Sequence, residues 1–274
     1  MGILNQWLGI GELASEHGVV VDQLLEFIHW FMLALGVGWS VFIAVAIYKF
    51  RRSKNPRANH YGVRNHATTH IEIGVIITEA VLLLGFAYPL WSRRVDDFPT
   101  GSDVVRVRAV GEQFRWWFHY CGPDGKFGRV DARLVTGTNP VGLDLEDPNA
   151  KDDFTDLNTL TLPLGQKAIV GVTAKDVIHN LALVPMRIAQ DAMPGSEAHI
   201  WFTPQKVGAW DIVCGQLCGS GHGVMRSTLE VKSPEEFASW YKEKTPLPPS
   251  APAAQQASAS AGSSVPAVLV SSAE

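Results

Sequence analysis

The sequence predicts an α+β membrane protein: an N-terminal two-helix transmembrane hairpin followed by a β-sandwich or barrel domain. Three observations predict it. Two long apolar runs, Val21 to Phe50 and Ile71 to Trp91, each reach the ~20 residues that carry a helix across a bilayer. From about residue 95 the apolar residues come instead in short segments, separated by turn signals at intervals of about ten residues. One of those turns, Cys214 to Met225, holds two thiols, an imidazole and a thioether among four glycines.

Residues 1–20 contain no Lys or Arg and so lack the charged start of a secretory signal peptide; they are expected to be a retained extracytoplasmic segment. The hairpin occupies residues 21–92, with its helices at about 25–49 and 71–91. Lys49, Arg51, Arg52, Lys54, Arg57 and Arg64 crowd the connection, where Pro56 stops the first helix. Five of these bases lie beyond Phe50 and none precedes the first helix, which puts the connection in the cytoplasm and both the N-terminus and the β-domain outside. Arg93 and Arg94 run against this weakly. The second helix carries Glu72 and Glu79 on nearly one face. A carboxylate inside a membrane is costly, so it faces protein or water. Glu72 is therefore a candidate for proton entry, or it sits at headgroup level; Glu79 lies deeper and needs a partner.

The β-domain spans residues 95–232. Expected strands are Val104–Val110, an aromatic segment from Gln113 to Tyr120, Thr159–Gly165, Lys167–Ala174, Asn180–Pro185, Ala198–Thr203, Lys206–Val213 and Arg226–Val231, with a turn at Pro123-Asp124-Gly125. A helix over 233–244 follows, with Ser233 as its cap and Pro234 at its first position. The Pro/Ala/Ser-rich residues 245–274 are expected to be disordered.

A net charge of −4 leaves no nucleic-acid footprint, and three cysteines give no disulfide framework. Cys121 stands apart and is expected to be structural or inert. Cys214, Cys218, His222 and Met225 are soft ligands that suit copper. His179, at a strand edge with Asp176 three residues before it, is the candidate to complete the set, while His119 and His199 are ordinary histidines. A mononuclear blue-copper site would need one Cys rather than two. A structural zinc site of two Cys and two His is also chemically open.

Cys-Gly-Gln-Leu-Cys-Gly-Ser-Gly-His-Gly-Val-Met resembles the dinuclear CuA loop of subunit II of the haem-copper cytochrome c oxidases. Asp-Val-Ile-His before Val184-Pro185, and Asp191-Ala192-Met193-Pro194-Gly195, are similar to other motifs of that family. The resemblance covers about Val21 to Tyr241 and implies a cupredoxin-like β-domain. It implies that Cys214 and Cys218 bridge two copper ions, that His179 and His222 bind one each, and that Met225 is a weak axial ligand. Position 216 would ligate through its main-chain carbonyl. Many members carry Glu there, which also helps hold magnesium at the interface with subunit I; Gln216 is a poorer magnesium ligand and puts that ion in doubt.

The aromatic stretch resembles the family's segment beneath the copper site, but its first tryptophan, the usual electron entry point, is Phe114 here. Trp116 and Trp117 are the other candidates for electron transfer. The resemblance further implies oxidase subunit I and other oxidase subunits as partners, in the plasma membrane of a bacterium. No Cys-x-x-Cys-His haem motif is present, so the cytochrome c donor would be a separate protein. The segment Asp144 to Asp156, with six acids and one base, is either a docking surface for that donor or a solvated loop. The alternative function is a copper-free or zinc-binding structural or assembly subunit of a related quinol oxidase.

Overall fold

The computed structural model describes residues 2–57, 60–61, 66–101 and 103–244. Arg64 and the 245–274 tail lie outside them. A short helix α1 (Ile3–Trp7) precedes two long helices, α2 (Gly18–Phe50) and α3 (Ala67–Val95). Both are long and apolar enough to cross a membrane, and their apolar windows have no buried residue. Helix α2 starts at Gly18, ahead of the expected 25, because Asp22 in its first turns is buried against the β-domain rather than left in a polar approach segment. Helix α3 passes through a π-helical stretch, Val81–Ala87, immediately after Glu79. Glu72 and Glu79 are both exposed on it.

Among the described residues, ten strands form two five-stranded sheets. The strands are β1 (Val104–Glu112), β2 (Arg115–Tyr120), β3 (Phe154–Leu157), β4 (Thr159–Pro163), β5 (Lys167–Ala174), β6 (His179–Leu183), β7 (Ile188–Ala192), β8 (Ala198–Phe202), β9 (Gly208–Cys214) and β10 (Arg226–Lys232). One sheet has the order β3-β2-β1-β5-β8 and the other β4-β10-β9-β6-β7. Their inner faces share one core built on Trp116, Phe118, Tyr120, Leu160, Leu181, Phe202, Ile212 and Leu229. Alternation along each strand puts these side chains inward, which is why the strands were legible. Tyr120 closes one end: its hydroxyl donates to the Thr161 carbonyl and accepts from the Thr161 N–H. Its ring stacks on Phe154, 4.8 Å between centroids.

Helix α4 (Pro234–Glu243) packs Trp240 and Tyr241 on that pair. Ser233 caps it as expected, and Glu236 completes a reciprocal capping box. Strands β3 and β7 were not expected. The first corrects the reading of Asp144 to Asp156 as one acidic loop: Asp153 is fully buried on His119, Asp156 lies in β3 and binds Lys244, and Asp144 binds Arg129. Glu146 stays exposed and the Arg129–Asp144 pair lies at the surface, so the stretch still carries surface charge.

The N-terminal segment is part of the fold. Ser15 bridges to Pro204, Ala14 enters the core, and Arg187 donates to Asp22 and to the carbonyls of Gly11 and Glu12. At the other side of the hairpin the Arg94 guanidinium lies 3.9 Å over the Trp201 ring and donates to the Trp201 carbonyl.

Candidate metal centre

Antiparallel β9 and β10 are joined by the Cys214–Met225 loop, and antiparallel β6, paired with β9 through Leu181↔Cys214, delivers His179 beside it. The loop is pinned at its base by the Gly215 N–H donating to the Asn180 carbonyl (3.0 Å) and the Cys214 N–H to the Met225 carbonyl (3.3 Å). Gly219 holds φ +137, where other residues are strained, and Gly221 leaves room for the Phe114 ring.

The soft atoms converge in a nearly two-fold arrangement. The Cys214 and Cys218 sulfurs are 3.8 Å apart. Cys214 Sγ has His179 Nδ1 at 3.9 Å and the Gln216 carbonyl oxygen at 3.2 Å. Cys218 Sγ has His222 Nδ1 at 3.7 Å and Met225 Sδ at 3.8 Å. Each thiol thus has one imidazole nitrogen and one weaker donor. His179, Cys214 and Cys218 place their ligand atoms within 4.8 Å of one another. His179 and Met225 are fully buried, and Cys214 and Cys218 are 7% and 4% exposed.

The supporting residues orient this set. Asp176 Oδ1 lies 2.9 Å from His179 Nε2, so Nε2–H donates to it and Nδ1 is left as a lone pair facing Cys214. Burial alone would raise the Asp176 carboxyl, but the Gln113 N–H and His179 outweigh it and hold the acid below its usual range. Burial, and then the neighbouring Cys214 thiol, push the Cys218 thiol up to about 11. Two thiolates this close call for cations between them, and copper, zinc or another thiophilic ion supplies that charge. A donor set of two S, two N, one thioether and one carbonyl fits two copper ions better than one tetrahedral zinc, which takes four ligands and leaves two donors idle.

The structure brings together His179, Cys214, Gln216, Cys218, His222 and Met225, with Gln216 contributing its carbonyl while its side chain faces solvent. Trp116 reaches the site, its ring edge-on to His179 at 5.9 Å. Phe114 packs on the loop glycines. Trp117, one residue on and therefore on the other face of β2, joins a separate cluster with Val110, Val141 and Leu143 and donates to Glu112. Glu72 lies on α3, in the helical hairpin rather than the β-domain. Sequence reasoning missed Gln113, whose side chain reaches the Cys218 carbonyl at 2.6 Å. Cys121 is buried in the Arg106–Tyr241 region with its thiol pushed up to about 11 by burial, in keeping with an inert residue.

Residues 105–232 match the family model described as cytochrome C oxidase subunit II, periplasmic domain. Among curated relatives, the alternative cytochrome c oxidase subunit 2 of Bradyrhizobium diazoefficiens is 25% identical over 233 residues, covering 85% of this chain and 82% of its own length. The cytochrome c oxidase subunit 2 of Pneumocystis carinii is 28% identical over 222 residues, covering 80% and 85%. Among solved structures, the periplasmic domain of subunit II of cytochrome oxidase of Bradyrhizobium japonicum is 29% identical with a TM-score of 0.38, covering 53% of this chain and 94% of that one.

Proposed function

The chain belongs to the cytochrome c oxidase subunit II family, and on that premise we propose that it is the electron-entry subunit of a haem-copper terminal oxidase in a bacterial plasma membrane. The observation that carries this is the pairing of each thiol with its own imidazole and its own weak donor around one 3.8 Å sulfur pair. Cys214, Cys218, His179, His222, Met225 and the Gln216 carbonyl would together hold two copper ions. Such a pair, when bound, takes up and gives back one electron with little change in its bonds.

The chain's own residues keep that change small. Asp176 fixes the His179 ring, Gln113 and Asn180 fix the loop backbone, and the buried position of His179 and Met225 keeps water from the sulfurs. Leu217 and Val224, 80% and 78% exposed in the same loop, present an apolar surface beside the site to docking proteins. A separate cytochrome c delivers the electron and subunit I receives it, for reduction of oxygen to water coupled to proton translocation. Phe114 and Trp116 are the aromatic contacts nearest the site on the entry side. In this reading the domain and the N-terminus face outward, the basic connection faces the cytoplasm, and Glu72, near that connection, would serve proton entry. The exposed amide of Gln216 leaves a magnesium ion at the subunit interface without its usual carboxylate.

The test is a copper titration of the full chain in detergent, followed by optical and electron-paramagnetic spectra. A mixed-valence two-copper signal at two ions per chain is the expected result. A single-copper spectrum, or colourless zinc that copper cannot displace, overturns the proposal and favours an assembly module.

A further inference from the structure

The first residues of the chain carry an apolar surface that neither the metal centre nor the β-domain uses. Helix α1 leaves Ile3, Trp7 and Leu8 63%, 81% and 53% exposed, while its remaining side is fixed to α2. The Leu4 and Asn5 N–H groups donate to the two oxygens of the Glu26 carboxylate, at 3.1 and 3.0 Å. Asn5 Nδ2 donates to the Asp22 carbonyl, and Trp30 Nε1 to Glu26. Thus α1 is tied alongside the first turns of α2, and an acid that would otherwise stand unpaired on a membrane helix has its acceptors filled.

The level of α1 relative to a bilayer follows from the hairpin. Phe27 of α2 and Phe86 of α3 stack with centroids 6.2 Å apart, so these two positions lie at one height. With a rise of ~1.5 Å per residue, Tyr88 and Trp91 stand about 3 and 7 Å further out. Their rings pair at 6.0 Å and are exposed, as interfacial aromatics are. The outer boundary of the hydrocarbon therefore falls near the height of Asp22 to Phe27. At the other end of α2, Tyr48, with Arg51 stacked on its ring at 4.3 Å, marks the inner boundary. The stretch from residue 27 to residue 48 then spans about 32 Å, against a core of ~30 Å. Helix α1 is held at the outer boundary.

The apolar surface continues from α1 onto the spanning part of α2. Leu4 and Leu8 roof a groove of about 560 Å³ whose lining on α2 runs from His29 to Val41 and is apolar except for His29 and Ser40. The level of α1, beside the exposed interfacial pair Tyr88 and Trp91, and its continuity with a membrane-spanning helix point to lipid as the occupant. We infer that α1 is an interfacial anchor, with Ile3, Trp7 and Leu8 in contact with phospholipid of the outer leaflet and an acyl chain in the groove beneath. The inference rests on α2 and α3 spanning the membrane.

A photoreactive p-benzoylphenylalanine in place of Trp7, in the full chain in its native membrane, tests it. The expected product on irradiation is this chain carrying the added mass of one phospholipid, with a second label at Ile3 giving the same adduct. Crosslinking of position 7 to another polypeptide, or no lipid adduct at either position, overturns it. Carbonate extraction of the same membranes separates the two premises. A chain that resists extraction but gives no lipid adduct leaves the hairpin spanning and removes the anchor, whereas an extractable chain removes both.

Discussion

The Gln113 side-chain amide donates to the Cys218 carbonyl at 2.6 Å while its own main-chain N–H donates to Asp176 Oδ2 at 2.7 Å. One residue at the β1–β2 turn therefore holds both the cysteine loop and the acid that orients His179. Gln113→Ala removes the first bond and keeps the second. The expected cost is about 1 kcal/mol of stability, with broader copper lines in the electron-paramagnetic spectrum. A spectrum and thermal midpoint identical to the parent would show that the loop holds its shape without this bond.

The two thiols of the site and the third cysteine separate cleanly by environment. Cys214→Ser or Cys218→Ser takes away half of the sulfur pair, and the two-copper spectrum is expected to disappear in either variant. Cys121→Ser lies under the Arg106 carbonyl, away from every ligand, and is expected to leave the spectrum unchanged. A stable dinuclear spectrum in Cys218→Ser would contradict the ligand set.

Two histidines make the fold sensitive to acid. Burial lowers His119 below its ordinary value, against the opposing pull of Asp153, and burial followed by the charge of Arg94 lowers His17 from 6.5 to about 4. Both rings are neutral in the fold and take up a proton on unfolding. Their contribution is therefore complete above about 6.5 and is lost as pH falls below it, down to about 4 for His17. The thermal midpoint in detergent should begin to fall near that upper value, and His119→Gln should flatten the curve. A midpoint level across the whole range rejects this.

Much of the architecture was legible because its signals are local. The two apolar runs are each one continuous segment, and the strand alternation around Trp116 and Phe118, the Ser233 cap and the Cys-x₃-Cys-x₃-His-x₂-Met spacing each lie within a dozen residues. What escaped is what depends on distant partners. Strand β7 is an edge strand whose polar outer face, broken from β6 by Arg187 at φ 55, shows no strong alternation. Strand β3 was hidden by its acids, because nothing near Asp156 in sequence announces Lys244. Gln113 contacts a carbonyl 105 positions away, and the N-terminal segment pairs with Pro204 through backbone groups that carry no residue signature.

Arg187 is the bolt between the membrane hairpin and the β-domain. Its side chain and that of Asp22 are 6% and 5% exposed, 2.7 Å apart, and the guanidinium also binds three carbonyls. Asp22→Ala strands that charge in a buried site, at an expected cost of about 3–5 kcal/mol. Limited proteolysis should then cut between residues 8 and 18 far faster than in the parent. If cleavage there is unchanged, the ion pair does not hold the segment.

Phe114 and Gly221 give the sharpest test of how the aromatic turn shapes the metal loop. Gly221 has φ −92, a conformation open to any residue, so an added methyl meets no backbone strain. What it meets is the Phe114 ring, which occupies the place of the missing Cβ. Gly221→Ala should displace the loop and weaken copper retention by tenfold or so, equivalent to about 1.4 kcal/mol. Phe114→Ala alone opens space beside Gly219 and Gly221 and should cost less. The double variant should recover most of the copper retention lost in Gly221→Ala, because the collision is gone. Additive losses in the double variant would mean that Gly221 matters for a reason other than the ring, and that Phe114 does not set the position of the loop.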